Sequence, residues 1–144
     1  MAWDCRFPAE SLQRMKRRHH IIFGKRRGII LLPETGAELH LNPVECTLYR
    51  LFLAHPEGIL ADNLLLHWQE LCAIYSTESC YDDQPLRDVA MESLCAESKI
   101  VFYANVSRIK RKFVNALGAR KASPYIIERD KNGVYKTGAR ETRR

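Results

Sequence analysis

Long apolar runs are missing from these 144 residues. No stretch approaches the roughly 18 consecutive apolar residues that a membrane-crossing helix needs. Glycine is sparse, seven in all, and never gathers into a loop that could cradle a phosphate. There is no Gly-x-Ser-x-Gly elbow either, so the common signatures of nucleotide-binding and serine-hydrolase chemistry are absent. The five cysteines (Cys5, Cys46, Cys72, Cys80 and Cys95) make an odd number with no Cys-x-x-Cys spacing. Neither a disulfide framework nor a structural zinc is read from them, and Cys46 and Cys72 are expected as small buried hydrophobes. His19 and His20 lie beside a Lys/Arg run with no cysteine or carboxylate at metal-ligand spacing. No metal and no cofactor are expected, and an enzyme is the least expected class. No leader pattern is read at the start, so the expected compartment is the cytoplasm.

Positive charge is plentiful, and its placement says more than its sum. Lys and Arg number 23 against 17 Asp and Glu, a net charge of +6. Arg14 to Arg27 holds seven Lys/Arg and no acid. Gly28 to Glu97 holds only Arg50 and Arg87 against twelve acids. Ser98 to Lys121 returns to seven Lys/Arg and no acid. Basic ends on an acidic middle polarise the surface, which is the electrostatic footprint of polyanion binding. A merely solvated surface would explain the first run as well. It explains less readily 24 acid-free positions in a chain with 17 acids.

Within the second basic run, Phe102, Val106, Ile109, Phe113 and Leu117 recur at helical spacing. That predicts a helix from Lys99 to Leu117 with an apolar stripe, and Asn105, Arg108, Arg111 and Lys112 lie off it. A short hairpin is expected next, with Asn132-Gly133 joining Tyr125–Ile127 to Val134–Lys136.

The rest of the chain divides by local signals. Three short β-like runs, His20–Phe23, Gly28–Leu32 and Ala37–Leu41, predict a small antiparallel sheet. Asn42, Pro43 and Glu45 form a capping-box pattern for a helix ending near Ala54, before His55-Pro56. Ile59-Leu60 suggests a short strand. Asp62 is the expected cap of a second helix, with Leu64, Trp68, Leu71 and Tyr75 inward. A third helix is expected from Pro85, with Leu86, Val89, Ala90 and Leu94 on one face. Residues 1–19 are expected as an arm or short helix, 20–41 as the sheet, 42–117 as the helical core and 124–137 as the hairpin. Residues 139–144 are expected to be a disordered basic tail.

This order resembles the OmpR/PhoB-type winged-helix domain, an α+β fold with a small N-terminal antiparallel sheet, three to four helices and a C-terminal hairpin wing. Three segments carry the resemblance. Leu41-Asn42-Pro43-Val44-Glu45 through His55-Pro56-Glu57-Gly58 is similar to the family's first helix and following turn. Asn105-Val106-Ser107-Arg108-Ile109-Lys110-Arg111-Lys112-Phe113 is similar to the second half of its recognition helix. Ile127-Glu128-Arg129 with Gly133-Val134-Tyr135-Lys136 resembles its wing. The likeness spans roughly residues 20–138 and implies a bacterial transcription regulator that binds double-stranded DNA. It further implies that Ala104, Asn105 and Arg108 face bases and that Ser107, Arg111 and Lys112 meet phosphates. Arg129 would approach the minor groove and Lys131 the backbone.

The sequence departs from that family in four places. Its basic helix opens on Lys99-Ile100-Val101-Phe102-Tyr103, where the family carries polar residues. The segment from Ser76 to Ser98 is longer than the usual connection. Asp130 sits in the wing, close to the expected backbone contact. No receiver domain precedes the resemblance in this sequence, so phosphorelay control within the same chain is not expected. Ile100, Val101 and Tyr103 offer a contact patch for a second copy or a protein partner. The alternative to DNA binding is therefore a winged-helix adaptor that binds protein. RNA is a weaker alternative, because the stacking aromatics of an RNA-binding sheet are missing.

Overall fold

The computed structural model describes residues 19–79 and 84–142, with residues 84–86 described by their backbone alone. The expected N-terminal arm, apart from His19, lies outside these residues. Alternating apolar residues build the first layer. His20–Phe23 (β1), Ile29–Leu32 (β2) and Ala37–His40 (β3) pair antiparallel, close to the expected bounds. Ile21, Ile30, Leu32 and Leu39 turn inward and are buried, as a period of two requires.

Pro43–Ala54 (α1) begins as the capping-box pattern predicts. Asn42 Oδ1 accepts the Glu45 N–H at 2.8 Å, and Glu45 Oε1 accepts the Asn42 N–H at 3.0 Å. His55, ahead of Pro56, leaves the helix with φ −124° and ψ 73°. Ile59–Leu60 (β4) follows. Next comes a 3-10 segment, Ala61–His67, leading into Trp68–Glu78 (α2). The expected cap at Asp62 is corrected here. The 3-10 segment starts after Leu60, and no side chain caps it or α2.

Gln84–Leu94 (α3) buries Met91 and Leu94 and leaves Val89 59% exposed. Its inner face is thus rotated from the expected set, because Met91 rather than Val89 completes the stripe with Leu94. Ile100–Leu117 (α4) and Ala119–Ala122 (α5) come next, separated by Gly118 at φ 84°. Ile127–Arg129 (β5) and Val134–Thr137 (β6) form the expected hairpin, and β4 joins its edge in the order β4-β6-β5.

Arg140–Glu141 (β7) runs parallel to β1 and completes a second sheet, in the order β3-β2-β1-β7. The expectation of a disordered tail is therefore corrected for residues 139–142. Ala139 is buried, and the Arg140 and Thr142 N–H groups donate to the His19 and Ile21 carbonyls at 2.9 and 2.8 Å. Backbone pairing of this kind leaves no trace in side-chain composition. Among the described residues the fold is mixed α/β, with five α-helices and two sheets. The helix count exceeds the expected three to four through the one-turn α5.

The core lies where α1, α4 and the hairpin strands meet. Phe113 and Tyr125 stack with ring centroids 5.6 Å apart, and Tyr49 lies 5.4 Å from Phe113. The Tyr49 and Thr137 hydroxyls both donate to the Tyr125 carbonyl, at 2.7 and 2.9 Å. Gly58 (φ 93°) lets the turn after α1 press on β6. A Cβ there would sit 2.4 Å from Val134 Cγ1 and 2.8 Å from the Tyr135 carbonyl.

Candidate nucleic-acid interface

Successive residues of α4 are about 100° apart around the axis, so burial sorts its side chains into faces. Phe102, Asn105, Ile109 and Phe113 are buried, with Val106 and Leu117 half-buried beside them. The expected stripe is thus turned slightly, and Asn105 takes an inner position. Asn105 is 2% exposed, and its Nδ2 donates to the Val101 carbonyl at 2.8 Å. The expectation that Asn105 faces bases is corrected: its side chain lies in the helix packing, with Nδ2 held by the Val101 carbonyl and Oδ1 buried without a hydrogen-bond partner among the described residues.

Lys112 is corrected too. Its Nζ donates to Glu45 Oε1, on a carboxylate that is itself buried. That carboxylate already completes the α1 capping box. Lys112 is the counter-ion of a buried acid rather than a free phosphate ligand, and Coulombic attraction at low exposure holds it there.

The outer face keeps Ser107, Arg108, Lys110 and Arg111, all exposed, and Ala104 half-buried. Arg120 and Lys121 extend the exposed cations onto α5. Lys110, Arg120 and Lys121 were not singled out from the sequence, although the acid-free run that contains them was the signal. Among the described residues no acidic partner holds Arg108, Lys110, Arg111, Arg129 or Lys131. The first turn of α4 differs in character. Ile100 is 70% and Tyr103 46% exposed, whereas Val101 packs against the core.

The hairpin seats on that first turn. The Tyr135 ring lies 5.1 Å from Phe102 and 6.4 Å from Tyr103. Arg129 and Lys131 are exposed at the end of β5 and in the loop. The loop is longer than Asn132-Gly133 alone implies. The Gly133 N–H donates to the Asp130 carbonyl at 3.1 Å, and the Asp130 N–H to the Val134 carbonyl at 2.8 Å. Gly133 has φ 83°, and Lys99 is the one non-glycine with positive φ among the described residues. A turn followed by a left-handed glycine fits a three-residue loop with a bulge. Asp130 organises it, its Oδ1 accepting the Val134 N–H at 3.0 Å and the Asn132 N–H at 2.8 Å. These bonds, the Val134 one foremost, hold the Asp130 carboxyl below its ordinary range, with Lys136 adding a smaller pull. The acid that departs from the family pattern thus has a structural use.

Burial pushes the Cys46 thiol up to about 12 and the Cys95 thiol up to about 11, and it raises Cys72 as well. None of these three is poised as a thiolate nucleophile. A separate constellation, His55, His67 and Glu70, brings one ligand atom from each residue within 4.8 Å of the others. Its members come from the α1–β4 turn, the end of the 3-10 segment and the first turn of α2. Only the His67-x-x-Glu70 spacing was a local clue to it. No helix among the described residues is long and apolar enough to cross a membrane. Compared with protein-family models, curated proteins and solved structures, the chain matches none.

Proposed function

We propose that this chain is a duplex-DNA-binding module of the winged-helix kind, similar in its order of elements to OmpR/PhoB-type domains and acting in transcription regulation. One observation carries the reading: the outer face of α4 presents Ser107, Arg108, Lys110 and Arg111, whose cations have no acidic partner among the described residues. Unpaired cations on one side of a helix about 10–12 Å across suit the major groove. The hairpin packed on the same helix supports the assignment of a wing. In this account Arg108 reads a base edge, with guanine the natural partner of a guanidinium fork. Ser107 and Arg111 hold phosphates, as do Lys110 and, from the hairpin, Lys131. Arg129 approaches the minor groove. Asn105 and Lys112 have structural duties and no groove contact.

A second reading has its own observation. Ile100 and Tyr103 are large and exposed, and Tyr103 is adjacent to the hairpin, as a surface for a protein partner or a second copy would require.

Fluorescence anisotropy with a labelled duplex at low salt tests the first reading. The Arg108→Ala/Arg111→Ala chain, with unchanged circular dichroism, is expected to bind at least about tenfold more weakly, since one good base contact is worth about 1–3 kcal/mol. Equal affinity would remove α4 from the interface. Ile100→Ser/Tyr103→Ser separates the readings: loss of self-association with duplex affinity intact favours the protein surface.

A further inference from the structure

We propose that His55, His67 and Glu70 form a binding site for a divalent transition-metal ion of the zinc type. This inference does not depend on the DNA reading, because the cluster lies on the joint between α1 and α2.

Geometry carries it. His55 Nε2 is 2.8 Å and His67 Nδ1 3.5 Å from the same Glu70 oxygen, Oε1. One ligand atom from each residue falls within 4.8 Å of the others. A zinc ion bound at about 2.0–2.2 Å holds tetrahedral ligand atoms about 3.3 Å apart. The two measured separations bracket that edge, so small side-chain rotations would seat an ion. The two imidazoles already stand edge to face, with centroids 4.6 Å apart. Two nitrogens and one carboxylate oxygen suit zinc, cobalt or nickel rather than the all-oxygen shells of magnesium and calcium.

A second layer is also in place. Glu57 Oε1 lies 3.1 Å from His55 Nδ1. A carboxylate on the far nitrogen holds a proton at Nδ1, so an ion that displaces the proton between Nε2 and Glu70 Oε1 can take Nε2 as a ligand, a support that metal-binding histidines commonly have. The backbone fixes the positions of the donors. Pro56 forces His55 out of the helix, and His67 sits at the change from 3-10 to α-helix with φ −100° and ψ 20°. Glu70 follows in the first turn of α2. The side chains are 23%, 24% and 38% exposed, enough for an ion to reach them from solvent. Three protein ligands leave a fourth position for water. An ion here would tie the end of α1 to the start of α2 and fix the 3-10 segment, which carries the exposed Leu65 and Leu66.

The test is titration of the full chain with Co²⁺, followed by visible absorption, with Zn²⁺ as competitor. The expected result is saturation at one ion per chain, displacement by Zn²⁺, and a higher thermal midpoint with Zn²⁺ than with chelator. His67→Ala and the near-isosteric Glu70→Gln should each abolish saturation while circular dichroism is unchanged. Glu57→Gln should weaken binding by about 10- to 100-fold, the usual effect of losing an outer-shell partner. Absence of saturable binding overturns the proposal and leaves a hydrogen-bonded surface cluster. Saturation that survives in both His67→Ala and Glu70→Gln, or a thiolate-type spectrum, also overturns it and moves the ion to the cysteines.

Discussion

Arg111 and Lys112 are neighbours in sequence with opposite duties, and side-chain direction alone divides them. Arg111 is exposed on the outer face of α4, while Lys112 reaches back to a carboxylate 67 residues away. The capping box at Asn42 and Glu45 was legible because its partners are three residues apart. The ammonium that completes it was not, because no local pattern announces a contact across the fold. Asn105 has the same history: a residue competent to pair with adenine lies within the core, and periodicity could not choose between Asn105 and Val106 as the inner position. A prediction follows for Lys112→Ala. The substitution leaves the buried Glu45 carboxylate without its counter-ion, with only the Asn42 N–H still bound to it, and should lower stability by about 1–3 kcal/mol. Duplex affinity per folded molecule should change far less than in Arg108→Ala/Arg111→Ala. Urea unfolding beside anisotropy checks both halves. A stable Lys112→Ala chain with poor DNA binding would return Lys112 to the interface.

Elements were legible where their signals are short-range. The three N-terminal strands, α1, β4 and the hairpin lie close to where turns, caps and proline place them. The 3-10 segment and the rotation of α3 were not legible, since packing against neighbouring elements decides them. The hairpin shows the limit of a good local signal. Asn132-Gly133 marks the turn, but Asp130 sets its length by binding two backbone N–H groups. Because those bonds favour the ionised form, the Asp130 pKa is lower folded than unfolded. The stability it adds is therefore present above the ordinary carboxylate value of 3.8 and is lost as pH falls through the lower folded value. Asp130→Ala should speed amide exchange at Val134 and Tyr135 near neutral pH. It should also flatten the hairpin's loss of protection on acidification. Exchange identical to the native chain would show that Asn132-Gly133 suffices alone.

At the scale of the molecule, charge separates from packing. The acid-rich middle of the sequence supplies caps and ion pairs, such as Arg50 with Glu78 at 2.5 Å, that stay within the fold. The later basic run leaves Arg108, Lys110, Arg111, Arg120 and Lys121 on the outside of α4 and α5. The sequence showed this polarity plainly, because counting charges needs no coordinates. It did not show that the chain's end returns to the first strand, since β7 is held by backbone bonds to β1. The candidate interface was thus legible as a segment and only partly as a set of residues: Ser107, Arg108, Arg111, Arg129 and Lys131 remain on the outside, while Asn105 and Lys112 turn inward.

The most direct test of the central claim is the salt dependence of duplex binding. With four to six phosphate contacts, the logarithm of affinity against the logarithm of salt should have a slope of about −4 to −5. Arg111→Ala/Lys131→Ala should make that slope shallower by about 2, close to 0.9 for each lost contact. A native slope near zero, or a native slope unchanged in the double variant, would contradict the assignment of α4 and the hairpin as a DNA-binding surface.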